Sequence, residues 1–387
     1  MMQMDPTTYN PIARARCLLV LLAILSLTSC STVPQMHSAA LRPMYLYTVN
    51  SPVVTISGYR IDPATGALNP VPGSPFYTGD VHDITINPTS TFAYVQASGK
   101  ILVYRINAAT GALTPVPGNP FGTGHQASRI AITPSGSFAY VASGFSDTVS
   151  AYRIDTATGA LIPVPGSPFP VAPGPFAVTI DPAGSFIYVP SRKAITILSI
   201  DATTGALSQD YATGITIPST KHESVLVNVL DRVRGRIKIT PDGAFAYAVG
   251  LNKAGQWAIL AYRVNIATGV LTPVPGSPFA VGSDPSHFSL NSAGTVAYVE
   301  TRSGFSVYRV NATTGELVPV QINAPQSEVG STSLKFTPNG KFAYQTSDGI
   351  YSVLAFRVDP TTEALTLLPG SPGAAGTNPA SLAIAQP

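Results

Sequence analysis

A turn of the form TGAL recurs through the chain at residues 65–68, 110–113, 158–161 and 204–207, becoming TGVL at 268–271, TGEL at 314–317 and TEAL at 362–365. These seven copies lie mostly 45–48 residues apart. A unit of that length cannot bury two sheet faces by itself, so each must pack on its neighbours. One full unit reads IAITPSGSFAYVASGFSDTVSAYRIDTATGALIPVPGSPF, residues 130–169. Pro134 suits the second position of a type I turn, and Gly136 and Gly159 supply the left-handed residue that closes each hairpin. Between the turns stand four strand-like runs, the strand count of a propeller blade. In SFAYVA, Phe138 and Tyr140 face one way and Ala139 and Val141 the other, so both faces are apolar and each sheet must be covered on both sides. The fold class that follows is all-β: a seven-bladed β-propeller with four-stranded antiparallel blades.

Only 11% of the 387 residues are charged, and 33 glycines and 36 prolines accompany abundant Val, Ile, Thr, Tyr and Phe. That mixture suits many short strands joined by tight turns. PVPGSPF stands at 70–76, 163–169 and 273–279, with PVPGNPF at 115–121. Proline lacks the N–H that a central strand must donate, so this segment belongs on the outer edge of each blade. There it also discourages pairing between molecules. The recurring Phe76, Phe121, Phe169 and Phe279 are expected to wedge between blades. The sequence RPMYLYTV begins a blade that lacks a first strand, and ASLAIAQP is a first strand with nothing after it. Joined, they close the seventh blade, with residues 382–385 paired against 44–49.

The amino terminus has the order of an export signal: Arg14 and Arg16, an apolar run from Cys17 to Leu27, then LTSC. The run is too short to span a bilayer. LTSC resembles a bacterial lipobox, which makes Cys30 the lipidated first residue of the mature protein, with 1–29 as signal peptide, 30–41 as linker and the propeller over 42–387. This arrangement implies an exported, membrane-anchored lipoprotein of the cell envelope, periplasmic or at the cell surface, without a thiol left for a disulfide. Loss of Asp5, Arg14 and Arg16 leaves a net charge of +2, too weak for a general electrostatic claim on nucleic acid.

In a four-stranded blade, the first-to-second and third-to-fourth turns lie at one end. The second-to-third turns and the blade-to-blade connections lie at the other, and all the irregularity of the chain falls there. The largest deviation is the insertion at 208–236; a smaller one, GLNKAGQW at 250–257, carries Trp257, the only tryptophan. Loops on a rigid scaffold are where binding residues concentrate. Arg232, Arg234, Arg236 and Lys238 alternate, so an extended chain would place all four cations on one face. Lys335 in LKFTP shares the register of Lys238 in IKITP. First strands line the axis of a propeller, so these groups, with Arg129, could converge on a carboxylate or phosphate. The alternative is a solvated face paired with Glu223 and Asp231. His82, His125 and His287 each stand just before or at the start of a first strand, at the same rim; His37 and His222 complete the set of five. No metal-ligand spacing, nucleophile elbow, P-loop or dinucleotide fingerprint is present, so no metal or cofactor is expected. NAT at 311–313 fits a glycosylation sequon, a chance match on a bacterial-type lipoprotein.

INPTSTFAYV, ITPSGSFAYV, IDPAGSFIYV, ITPDGAFAYA and FTPNGKFAYQ, alternating with YRID, TGAL and PVPGSPF, resemble the lactonase-type seven-bladed propeller family. That family includes 6-phosphogluconolactonase-like proteins and the related YVTN-repeat surface proteins. The resemblance implies the fold over roughly residues 42–387 and, as an activity, lactone hydrolysis. Hydrolysis would need a base to activate water and donors for the oxyanion. His82 or His287 with Glu300, and Arg129, Arg234 or Arg236, are the candidates. His82 falls where family members often carry a histidine in an HPH-like segment, although the DV before it departs from that pattern. The motifs are turns and strands, not catalytic groups. The favoured expectation is therefore a binding module for a small anionic or sugar-like ligand or an envelope protein, with lactonase as the alternative and a purely structural envelope protein as a third.

Overall fold

The computed structural model describes residues 42–387 except 52–53, 124–126, 192–193, 209–226, 229–232, 253, 283–284, 302–303, 321–333, 348–349, 372 and 375–378. Residues 1–41, where the sequence predicts the signal and the linker with Cys30, the residues His125, His222, Glu223, Asp231 and Arg232, and most of the 208–236 insertion lie outside the described residues. Seven antiparallel sheets follow one another along the chain. The first complete blade is Val81–Ile86, Phe92–Ala97, Lys100–Ile106 and Leu113–Pro115. Five more repeat its order, beginning at Ala127–Ile132, Thr179–Ile180, Val233–Ile239, His287–Leu290 and Lys335–Phe336. The closing blade takes Met44–Asn50, Thr55–Ile61 and Leu68–Pro70 from the amino-terminal end and Pro379–Ala385 from the other. Tyr45 pairs with Ala385, Tyr47 with Ala383 and Val49 with Ser381, as the half-blades at the two termini predict.

The second strand of each blade is buried on both faces, as in Phe92–Ala97 and Phe138–Ser143, because a neighbouring blade covers each side. Seven apolar clusters fill the seven interfaces. Phe76, Phe121, Phe169 and Phe279 pack against four of them. The FAYV and TGAL motifs meet across these interfaces. The Tyr94 hydroxyl donates to the Gly159 carbonyl of the next blade at 3.1 Å, Tyr140 to Gly205 at 2.9 Å and Tyr344 to Gly66 at 2.8 Å. Burial pushes these phenols above their ordinary range, so they remain donors. The arginine of YRI completes the latch: Arg105 lies 4.7 Å over the Phe92 ring and donates to the Ala157 carbonyl. TGAL is thus more than a turn; it is the acceptor side of a blade-to-blade clasp.

The proline segment forms the outer edge, in two pieces. Leu161–Pro163 pairs with the end of the third strand, and Phe169–Pro170 pairs with its beginning at Val149 and Thr148. Between them the chain loops out, and the Ser167 hydroxyl accepts the Ala151 N–H at 2.9 Å. Ser74, Asn119, Ser277 and Ser371 do the same in other blades. A side-chain oxygen takes the place of a backbone carbonyl acceptor where the edge segment leaves the ladder. In the third blade the second piece is Val227–Asn228, at the far end of the insertion, paired with Ala194 and Ile195.

Candidate active site at the ring axis

First strands carry the polar residues of the axis. Counted back from the hairpin residues Pro88, Pro134, Pro241 and Ser292, the same position holds Asp83, Arg129, Arg236 and His287. One pleat further along stand Thr85, Lys238, Ser289 and Lys335. Side chains two apart on a strand share a face, which stacks these residues into two axial layers.

Irregular pairing shapes the upper layer. The ladder slips between Val81 and Asp83, between Ala127 and Ile130, and between Arg234 and Lys238, while the closing strand slips opposite Val49 and Asn50. A β-bulge bends its strand and re-aims a side chain. Here the slips flank or enclose Asp83, Arg129, Arg236 and Ser381. The ladder slip between Arg234 and Lys238, where Gly235 holds φ +77°, interrupts strict alternation along that stretch; Arg232 and the Arg234 side chain lie outside the described residues.

Asp83 is the hub. Its Oδ2 accepts from Arg236 Nη2 at 2.5 Å and its Oδ1 from the Ser381 hydroxyl at 2.5 Å. Burial alone would raise its pKa, but Arg236, Arg129, Ser381 and Lys335 together hold the carboxyl below the usual range. Arg129 is shifted down by burial and by Arg236. Arg236 Nε is buried and has no hydrogen-bond partner among the described residues. On the fifth blade His287 faces Glu300 directly across the ladder, with Nδ1 3.6 Å from Oε2. Glu300 is almost fully buried, whereas the His287 side chain is 31% exposed. Asp83, Arg129, Arg236, His287, Lys335 and Ser381 line a narrow cavity of about 20 Å³.

His82 lies elsewhere. It occupies the bulged position beside Asp83 and is exposed, with Nε2 3.5 Å from Asp80 and 3.3 Å from Ser98 Oγ. It is not among the cavity's lining residues. Trp257 is half-buried against the core between the fourth and fifth blades, away from the cavity. The Arg234 backbone belongs to a described strand, but its side chain lies outside the described residues. Of the sequence candidates, Arg129, Arg236, His287 and Lys335 come together around the cavity, with Glu300 behind His287. Lys238 lines a second cavity with Lys335. Sequence reasoning missed Asp83 and Ser381. Asp83 was detectable, because VHDITI sets an acid in the register of Arg129 and Arg236. Ser381 reaches it only through ring closure. Among the described residues no group of three His, Cys, Asp or Glu side chains is placed to hold a metal.

These features define a seven-bladed propeller with a charged site at its axis, on the end where first strands begin. The profile of the family described as lactonase, 7-bladed beta-propeller, matches residues 116–221 and 236–386, and the chain belongs to that family. A candidate 6-phosphogluconolactonase from Bacteroides fragilis superposes with a TM-score of 0.71 at 17% identity, covering 90% of this chain and 99% of its own. The periplasmic gluconolactonase of Pseudomonas aeruginosa superposes with a TM-score of 0.67 at 17% identity, covering 89% and 100%. At such identities the likeness is one of fold. No curated protein matches the chain by sequence.

Proposed function

We propose that the protein hydrolyses a lactone in the axial cavity, with His287 as general base and Arg129 and Arg236 as oxyanion donors. The observation that carries this reading is the His287–Glu300 pair opening onto an arginine-bearing cavity. A carboxylate behind Nδ1 fixes the ring orientation and favours a proton on that nitrogen, leaving Nε2 as the base. The 3.6 Å separation exceeds that of a formed hydrogen bond, and catalytic hydrogen bonds commonly tighten when substrate is bound. In the reaction Nε2 takes a proton from water as the water oxygen bonds to the lactone carbonyl carbon. The two guanidinium groups hold the developing oxyanion. Collapse breaks the ring C–O bond, and the proton on His287 passes to the departing alkoxide, giving a hydroxy acid. Asp83 keeps Arg236 in place.

The non-catalytic binding module takes second place, because family membership and the His287 pair both favour chemistry. Export and lipidation at Cys30 remain part of the proposal on the strength of the LTSC motif alone. A Cys30→Ala protein should lose the label from radioactive palmitate, and retention of lipid would overturn that part. For the activity, a lactone panel followed by pH-stat titration is the test. Hydrolysis should fall about 10²–10⁴-fold in His287→Ala, the usual contribution of a general base. His82→Ala should be unaffected. Absence of turnover in the wild-type protein, or equal turnover in His287→Ala, refutes the proposal; ligand-dependent stabilisation without turnover would restore the binding module.

A further inference from the structure

Below the His287 cavity, at the next axial layer, lies a second and larger space. It measures about 260 Å³ and is lined by residues of the fourth, fifth and sixth blades, among them Lys238, Ser289, Asn291 and Lys335. Its described lining holds two ammonium groups and no carboxylate. Lys335 also lines the upper cavity, so one side chain stands between the two spaces. Asp83 is the acid of the upper layer and already accepts from Arg236 and Ser381. We propose that the Lys238–Lys335 cavity is a second, separate binding site for a small oxyanion, such as inorganic phosphate or the phosphate of a small ester. It adjoins the His287 cavity at Lys335, which lines both spaces.

Two like charges facing one poorly solvated space repel each other unless an anion lies between them. The strain is visible in both lysines. Burial, then Lys335, Arg236 and Arg129, push Lys238 well below the ordinary lysine range. Burial and Arg236 bring Lys335 down to about 8, with Asp83 opposing the shift. An oxyanion would reverse this, accepting from both ammonium groups with the Ser289 hydroxyl in the same lining. The first layer has arginines suited to planar, bidentate contacts; the second has lysines, compact point charges suited to a tetrahedral anion. The site does not depend on lactone hydrolysis, and its test reads binding alone.

Isothermal titration of the full-length protein with sulfate, whose charge is constant between pH 6 and 9, is the direct measurement. Affinity should fall more than tenfold in Lys238→Met and survive in Lys238→Arg. It should also weaken in the wild-type protein as the pH rises through about 8, where Lys335 loses its proton. Parallel titrations with inorganic phosphate and with a sugar phosphate separate a free ion from an ester as the natural ligand. Without sulfate, Lys238→Met should melt no lower than the wild type, because removing one of two repelling charges relieves the site. Sulfate binding unchanged in Lys238→Met but abolished in Arg129→Met would put the ion in the His287 cavity and overturn the proposal. Absence of binding in the wild-type protein would do so as well. Should Lys238→Met fail to fold, the wild-type pH series decides: affinity constant from pH 6 to 9 rejects the lysine site.

Discussion

Gly159 takes φ +80° with its Cα beside the Phe92 ring, and a Cβ there would come within 2.6 Å of a ring carbon. Only glycine meets both demands without strain. The interface between the fifth and sixth blades shows how the same clasp works without it. Glu363, in TEAL, holds φ +61°, and the residue in Phe92's place is Val296, which leaves room for a Cβ. Tyr298 still donates to the Glu363 carbonyl, at 2.6 Å. Gly159→Ala should therefore lower stability by more than about 2 kcal/mol, the left-handed penalty and the overpacking acting together. Adding Phe92→Val should recover part of the loss, since it removes the clash and leaves the backbone term. Conversely, Glu363→Gly releases an unfavourable left-handed residue but removes the Oε2 that accepts from Asn291 Nδ2 at 3.3 Å, so the two effects, each about 1 kcal/mol, should nearly cancel. Urea unfolding midpoints of these three variants and of Phe92→Val alone test this set; additive losses in the double mutant would contradict the contact.

Asp83 makes a prediction of a different kind at the same scale. Its carboxyl is held below the ordinary range in the folded protein, so as the pH falls the unfolded chain binds the proton first. The stability it contributes is complete at neutral pH and is lost below about pH 4, as acid approaches the folded-state value. Asp83→Asn should flatten the acid limb of a stability–pH curve; an unchanged limb would show that Asp83 titrates alike in both states.

For the edge strand, the serine of PVPGSPF is the informative residue. Ser167 supplies the acceptor for the Ala151 N–H where the chain loops away from its ladder. Ser167→Ala leaves that donor without its acceptor and should cost about 1–3 kcal/mol. Ser167→Asn should come close to wild type, because Asn119 already fills this role in the first blade, accepting from Val103 N–H at 2.8 Å. Thermal melts of the two variants side by side check the claim, and equal melting of Ser167→Ala and wild type would mean that water serves the donor equally well.

Closure is a property of the whole ring. Removing residues 380–387 takes away most of the innermost strand of the closing blade and, with it, the Ser381 hydroxyl that holds Asp83. The remaining sheets keep their own ladders, but the two faces next to the gap lose their cover. Repeat arrays are stabilised by such neighbour contacts. The truncated protein should unfold over a broad, early transition and lose any lactone hydrolysis together with the Asp83 arrangement; a sharp melt at the wild-type temperature would contradict ring closure as the source of cooperativity.

How much of this was legible follows from what each feature depends on. The repeat period, the two-faced apolar second strands and the half-blades at the termini are local patterns, and chain chemistry alone makes them a closed seven-bladed ring. The prolines, too, announced an edge, since a missing N–H has one consequence wherever it occurs. Composition by itself could not show that TGAL answers FAYV in the preceding blade, because that contact is made only when sheets stack. The axial residues were visible as charged letters in first strands, yet their grouping was not. His82 and Asp83 are adjacent in sequence, and a bulge sends one to solvent and the other to the axis. Arg236 meets Asp83 across the ring, from a strand 153 residues further along the chain. Ser381 joins them only because the carboxyl-terminal strand closes the blade that the amino-terminal strands began. Sequence determined the strands and their order; bulges and closure, which exist only in the assembled ring, decided which side chains share a cavity.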